Sequence, residues 1–274
     1  MTPLAGSTRM RNNQKNVNFS AMSRLQHFLA LLLCISLVEP AVRGAEAGPE
    51  PLRVGVTPVF PPMIFREGGK IVGVEADFAA ALGRELGRPI KFVDVKWDDQ
   101  FNELSAGKTD IIMSTVSITR PRQFRASFSK PYLAVGQMAL IRRTDSSRYG
   151  IGFPAQPQGV IGVKKGTTGD FLVQQEFPRS KRKYFDTGEE AARALVKHQI
   201  DLFICDSPTV WWLEGAYEAS GLAVVPIPLS EEHLAWAVRK SDTALLQSVD
   251  AALEKMRKSG EDVTIIKRWI PHFK

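Results

Sequence analysis

Residues 110–122, DIIMSTVSITRPR, decide how this 274-residue chain is read. Ile111, Ile112 and Met113 form a short apolar run of the kind that fills a buried parallel strand. The run opens into hydroxyls at Ser114, Thr115, Ser117 and Thr119, and Pro121 is expected to end the regular segment just before Arg122. In an open α/β sheet, ligands sit just outside the carboxyl ends of the strands. A strand that runs out into small hydroxyls and a guanidinium is therefore a candidate cradle for a carboxylate, because the planar fork of arginine meets both carboxylate oxygens at once. The plainer alternative is a strand leaving the core, with Arg120, Arg122 and Arg125 simply solvated.

Working outward toward the N-terminus, residues 52–56 alternate apolar with other side chains and read as a strand. Residues 57–63 (TPVFPPM) are a proline-stiffened loop, and Gly68-Gly69 marks a hairpin tip. Residues 71–75 lead into a helix with Phe78, Leu82 and Leu86 on one face, stopped by Gly87. Residues 90–95 read as a second strand closed by Trp97, and Asp98 starts a helix that turns Phe101 and Leu104 inward and stops at Gly107. Strands and helices in strict alternation imply a parallel sheet.

Toward the C-terminus, residues 137–141, 160–163, 184–185, 200–205 and 222–227 read as strands. Between them lie a helix through Phe171, Leu172 and Phe177 and another over 188–197, with Ala191 and Leu195 inward. Residues 229–232 return the chain, and 234–238 form a further strand. An amphipathic helix over 245–256 and a short one over 265–270, ended by Pro271, close the sequence. Asp201, at the start of its strand, reads as structural.

Several phrases resemble the bacterial periplasmic solute-binding proteins that deliver polar amino acids to ABC transporters. They are LRVG, PPM and GKIVGVEADFAAALGRELG within residues 52–87, VKWDDQFNELSAGKTDIIMS over 95–114, SITRPR over 117–122 and FSKPY over 128–132. The resemblance covers residues 52–270. It implies an α/β, two-lobe periplasmic-binding-protein (Venus-flytrap) fold, each lobe a mainly parallel sheet flanked by helices, joined by two hinge crossings. Lobe one would be residues 45–134 plus 235–274, and lobe two residues 137–230.

The resemblance also implies roles. Arg122, with Ser117 and Thr115 beside it, would hold a ligand α-carboxylate; the family's proline directly follows the second hydroxyl, whereas Arg120 intervenes here and is the alternative holder. Phe60 would cover the ligand side chain and Trp97 would wall it, the alternative being ordinary core packing. Thr168 and Thr167 of the GTT phrase would meet the same carboxylate from the opposite side, the alternative being a helix N-cap. The GTT phrase lacks phosphate-loop spacing. Asp206 would pair with the α-ammonium, the alternative being a cap for the helix that Pro208 begins. Lys164 would face the ligand side chain, unless Lys165 turns inward instead or both are solvated.

The formal charge of +7 falls to about +3 once residues 1–44 are set aside, and no basic patch interleaves with aromatics, so nucleic acid is not an expected partner. Residues 1–44 are assigned to a secretory signal peptide, with Met22 as an alternative start. Arg24 supplies its positive region, residues 28–38 an apolar run too short to span a bilayer, and residues 42–44 (VRG) the cleavage region. Glu39 and Pro40 argue against a membrane anchor, and Leu33 before Cys34 against a lipoprotein. Beyond the leader Cys205 is alone, and His27, His198, His233 and His272 are scattered, so neither a disulfide framework nor a metal site nor a cofactor is expected.

The expected function is a periplasmic, monomeric receptor that clamps a polar α-amino acid and delivers it to an ABC transporter permease in the inner membrane. Lys164 ranks Gln/Glu-like ligands ahead of basic and aromatic ones. Two alternatives stand beside it. A cyclohexadienyl-type dehydratase on the same scaffold would need a general acid facing the cleft, with Asp170 and Glu75 as the acids available. A ligand sensor would act through a separate partner, since the sequence runs to Lys274 without a signalling segment.

Overall fold

The computed structural model describes residues 48–149 and 159–271. The expected leader, with His27 and Cys34, lies outside those residues, as do His272 and nearly all of the Gly/Pro-rich segment at 149–158. Two five-stranded sheets organise the described chain, one per lobe.

The first sheet runs in the order Ile90–Asp94, Leu52–Val56, Ile111–Ile112, Ala237–Val238, Ser127–Phe128. Its first three strands are parallel and the last two join antiparallel. Leu52, Val54, Val56, Ile111 and Ile112 are fully buried, as strands covered on both faces must be. The helix Val74–Leu86 buries Phe78 and Leu82 in the same core as the C-terminal helices Thr243–Ser259 and Glu261–Trp269. Gly87 ends the first of these at φ +61°, a left-handed cap that costs a Cβ-bearing residue more. Asp110 anchors the central strand: Arg53 Nη2 meets its Oδ1 at 2.6 Å and Arg239 Nη2 at 3.3 Å.

The second sheet has the order Lys181–Tyr184, Val160–Val163, Leu202–Asp206, Gln137–Arg142, Leu222–Val224. Again three parallel strands are followed by two antiparallel ones. Its two faces pack separate apolar clusters, one around Leu195, Phe203 and Leu213 and one around Ile161, Val173 and Ile204. Two segments cross between the sheets, Leu133–Val135 and Glu232–Leu234, and they pair antiparallel with each other.

Several local expectations change, among them the strand expected at 184–185, which runs over Lys181–Tyr184. Pro121 does not end a regular segment; it sits in the first turn of the helix Arg120–Arg125, where its missing N–H costs nothing. The strand expected over 222–227 stops at Val224, because Pro226 and Pro228 have no N–H for the ladder. The return crossing lies at Glu232–Leu234, beyond the expected 229–232. Residues 57–63 are not all loop, since Val59–Phe60 pairs with Ile64–Glu67, which pairs in turn with Lys70–Val72 across the Gly68-Gly69 tip.

Candidate functional site

The carboxyl ends of the parallel strands of both lobes converge on one recess. Lobe one contributes Phe60, Trp97, Thr115, Ser117 and Arg122; lobe two contributes Gln137, Thr167, Thr168, Cys205 and Asp206. Its volume is about 10 Å³, room for about a water molecule. Trp97, Arg122 and Thr168 also line an adjoining groove of about 1420 Å³.

Helix geometry separates the two candidate arginines. Thr119 is the N-cap of Arg120–Arg125, its hydroxyl accepting from the Arg122 N–H at 3.4 Å. Arg120 is exposed and lines neither cavity, whereas Arg122, two residues on, faces the recess. The Arg122 Nη1 donates to Ser117 O at 3.0 Å, and its Cζ lies 5.5 Å from the Trp97 ring centroid. Burial lowers the Arg122 pKa, and the charges of Asp206 and Glu232 oppose that shift. Trp97 meets Phe60 edge-on at 5.4 Å, so both rings line the recess and pack on each other. Lys164 lines neither cavity: its Nζ donates to Asp186 O at 2.8 Å and lies 5.8 Å from the Phe60 ring. Lys165 is exposed.

Thr115 has φ +55°, a conformation costing a β-branched residue on the order of 1–3 kcal/mol. Its N–H is held by Glu75 Oε1 at 2.8 Å. The same fully buried carboxylate accepts from Tyr132 Oη at 2.7 Å and Trp236 Nε1 at 2.9 Å, residues that flank the two crossings. Burial pushes Glu75 up to about 7, against these three donors. Glu75 therefore braces the floor beneath Thr115 and does not line the recess. Asp170 does not line it either; it accepts from Arg182 Nη1 at 2.7 Å and from Gly166 N at 3.0 Å, locking its own loop.

On lobe two, Thr167 is the N-cap of the helix Thr168–Glu176, and its hydroxyl proton goes to Lys164 O at 2.7 Å. The Thr168 hydroxyl accepts from Gln137 Nε2 at 3.1 Å, which leaves its proton for another acceptor. Asp206 opens the helix Ser207–Ala216 but makes no side-chain cap bond. Its Oδ1 instead accepts from Gln137 Nε2 at 2.5 Å. Burial and the nearby Glu232 push the Asp206 carboxyl up to about 7, opposed by Gln137 and Arg122. The neighbouring Cys205 thiol is raised by burial and by Asp206, so it stays protonated.

Gln137, Ser230 and Glu232 escaped the sequence reading, yet they join the two charged side chains. Gln137 N donates to Ser230 Oγ at 3.0 Å, and Ser230 Oγ donates to Glu232 Oε1 at 2.9 Å. Ser117 Oγ donates to Glu232 Oε2 at 2.6 Å. One carboxylate on the return crossing thus accepts a hydroxyl from either side of the hinge. The available signal was an amide at the mouth of an apolar strand, Gly136-Gln137-Met138-Ala139-Leu140. Among the described residues no His, Cys, Asp and Glu cluster is placed to hold a metal ion, and no helix is long and apolar enough to cross a membrane.

Comparison with known proteins agrees with this architecture. A probable histidine-binding protein of Neisseria gonorrhoeae is 29% identical over 237 residues, spanning 85% of this chain and 88% of its own. Among solved structures, an ancestral amino-acid-binding protein, AncCDT-1, described as a precursor of cyclohexadienyl dehydratase, is 32% identical with a TM-score of 0.72 over 80% of this chain and 94% of its own. An ancestral arginine-binding protein bound to arginine gives a TM-score of 0.74 at 29% identity over 80% and 97%. The family model for bacterial extracellular solute-binding proteins, family 3, matches residues 52–272. With both lobes, both crossings and the recess between them within that span, the chain belongs to the bacterial extracellular solute-binding proteins, family 3.

Proposed function

We propose that this chain is a periplasmic receptor that clamps an α-amino acid between its two lobes and delivers it to an ABC transporter permease. Lobe one is residues 45–134 plus 235–274, lobe two is residues 137–230, and the protein is exported on residues 1–44 and works as a monomer. One observation carries the reading: a guanidinium of lobe one, Arg122, and a carboxylate of lobe two, Asp206, line the same recess. An α-amino acid is their complement, with a carboxylate for Arg122 and Thr168 and an ammonium for Asp206. The recess is too small for such a ligand, so the lobes must part to admit it and close again around it. The ligand bridges the lobes only when closed, so its binding energy biases closure.

A dehydratase is the second reading. Its support is that Asp206, with a pKa of about 7, is partly protonated at neutral pH, as a general acid in the recess must be. One thermal-shift screen of the common amino acids, arogenate and prephenate separates the two. A ligand at about a hundred times its Kd stabilises by about 2.7 kcal/mol. The receptor reading expects one or a few amino acids to raise the Tm of the wild type but not of Arg122→Ala or Asp206→Ala. No shift with any amino acid, or consumption of arogenate or prephenate, overturns it.

A further inference from the structure

The groove beside the recess has a chemistry of its own. Its lining carries four carboxylates, Asp98, Glu176, Glu231 and Glu232, against the guanidiniums of Arg122 and Arg125. Both guanidiniums are engaged: Arg122 faces the recess, and Arg125 Nη2 donates to Asn102 Oδ1 at 2.7 Å while its Cζ lies 5.1 Å from the Phe101 ring.

Gln100 is an independent pointer to a ligand. It lines the same groove and is only 1% exposed. Its orientation is fixed by its neighbours. Thr57 Oγ1 gives its proton to Val95 O at 2.7 Å, so toward Gln100 it only accepts, from Nε2 at 2.8 Å. The same nitrogen lies 3.1 Å from Ser114 Oγ. The other end of the amide, Oε1, has no hydrogen-bond partner among the described residues. A buried carbonyl oxygen without a donor is costly, and a donor brought to it from the groove would relieve that cost.

The groove is thus net acidic, with four carboxylates to two engaged guanidiniums, beside the hydroxyls of Thr119, Thr168 and Ser230. A guanidinium or an ammonium carries only donors and a positive charge and fits it; a ligand carboxylate would face like charge, and a neutral amide would gain less from the carboxylates' charge.

We propose that the ligand is an α-amino acid whose side chain ends in a cation, a guanidinium or an ammonium, held in the groove by Gln100 Oε1 and Glu232. This inference rests on the amino-acid-binding reading above. It reverses the ligand order that Lys164 suggested in the sequence, because Lys164 lines neither cavity and its ammonium is bonded to the Asp186 carbonyl.

The test is titration calorimetry on the full chain with two isosteric pairs, arginine against citrulline and lysine against norleucine. At least one cation should bind about tenfold tighter than its neutral isostere, or better. Glu232→Gln and Gln100→Met should each bring that ratio roughly threefold or more toward one. A lesion that merely loosens the fold weakens both members of a pair and leaves the ratio alone; melting curves of the unliganded variants report it separately. Citrulline or norleucine binding as tightly as the cations, or glutamate or glutamine binding more tightly than all four, overturns the proposal and leaves the receptor reading standing. A cation preference that neither substitution moves overturns the assignment to Gln100 and Glu232. If no amino acid binds, the receptor reading falls and this inference with it.

Discussion

Moving the pH changes one charge at the centre of the recess. Burial and Glu232 raise the Asp206 carboxyl to about 7. A ligand ammonium pairs with the ionised form, so wherever Asp206 is protonated, binding must first expel the proton. Affinity is therefore full above about 7 and falls as the pH drops through that value. At pH ~5.5 only ~3% of Asp206 is ionised, so the apparent Kd should rise about 30-fold relative to pH ~8, or about 2 kcal/mol. The same linkage releases roughly half a proton per ligand bound at pH ~7 and almost none at pH ~8.5. Calorimetry in two buffers of different ionisation enthalpy reads both quantities. Asp206→Asn should abolish the pH dependence along with most of the affinity. Glu75, also near 7 but bonded beneath Thr115 rather than to the ligand, is the control, and Glu75→Gln should leave the slope intact. A Kd constant across this range without proton release refutes the reasoning, as does a pH dependence that survives Asp206→Asn.

Other outcomes follow from the same contacts. In the unliganded protein the raised carboxyls of Asp206 and Glu75 hold protons that the unfolded chain has already released, so their contribution to stability falls as the pH rises from about 4 through 7. Asp206→Asn should accordingly raise the unliganded Tm at pH ~8, and a lowered Tm would contradict this. Arg122→Ala should cost ~3–5 kcal/mol of binding by leaving charges in the closed cleft unpaired, with Arg122→Lys recovering only part, while Arg120→Ala stays within about twofold in calorimetry. Gly169→Ala would set a Cβ 2.6 Å from Gln137 Oε1 and 3.3 Å from Ile204 O. Displacing Gln137 from Asp206 and Thr168 should cost ~1–3 kcal/mol in denaturant unfolding and weaken ligand binding as well.

The skeleton of the fold was legible because most of its parallel strands are short runs rich in apolar residues, with amphipathic helices between them. Strand ends were harder to read. The stop at Val224 depends on which residues have an N–H to give, and the edge strand Lys181–Tyr184 (KRKY) carries charge where periodicity expects apolar side chains. Pro121 shows how one residue type carries opposite meanings: it breaks a helix interior but suits a first turn, and only the Thr119 cap decides between them. That same cap is what separates Arg122 from Arg120. The residues outside the resemblance were the polar ones that join distant segments. Gln137 and Asp206 lie 69 positions apart and Ser117 and Glu232 lie 115 apart, so no local pattern links them. The Lys164 ammonium, which the motif sets beside the ligand, is bonded to the Asp186 carbonyl and lies 5.8 Å from the Phe60 ring.

The central claim is that one amino-acid head group bridges Arg122 and Asp206. A crystal structure of the full chain grown with the amino acid that gives the largest thermal shift tests it directly. The account expects the α-carboxylate against the Arg122 guanidinium and the Thr168 hydroxyl, with the α-ammonium within hydrogen-bonding distance of Asp206. A head group bound elsewhere, or one that touches a single lobe, would contradict it.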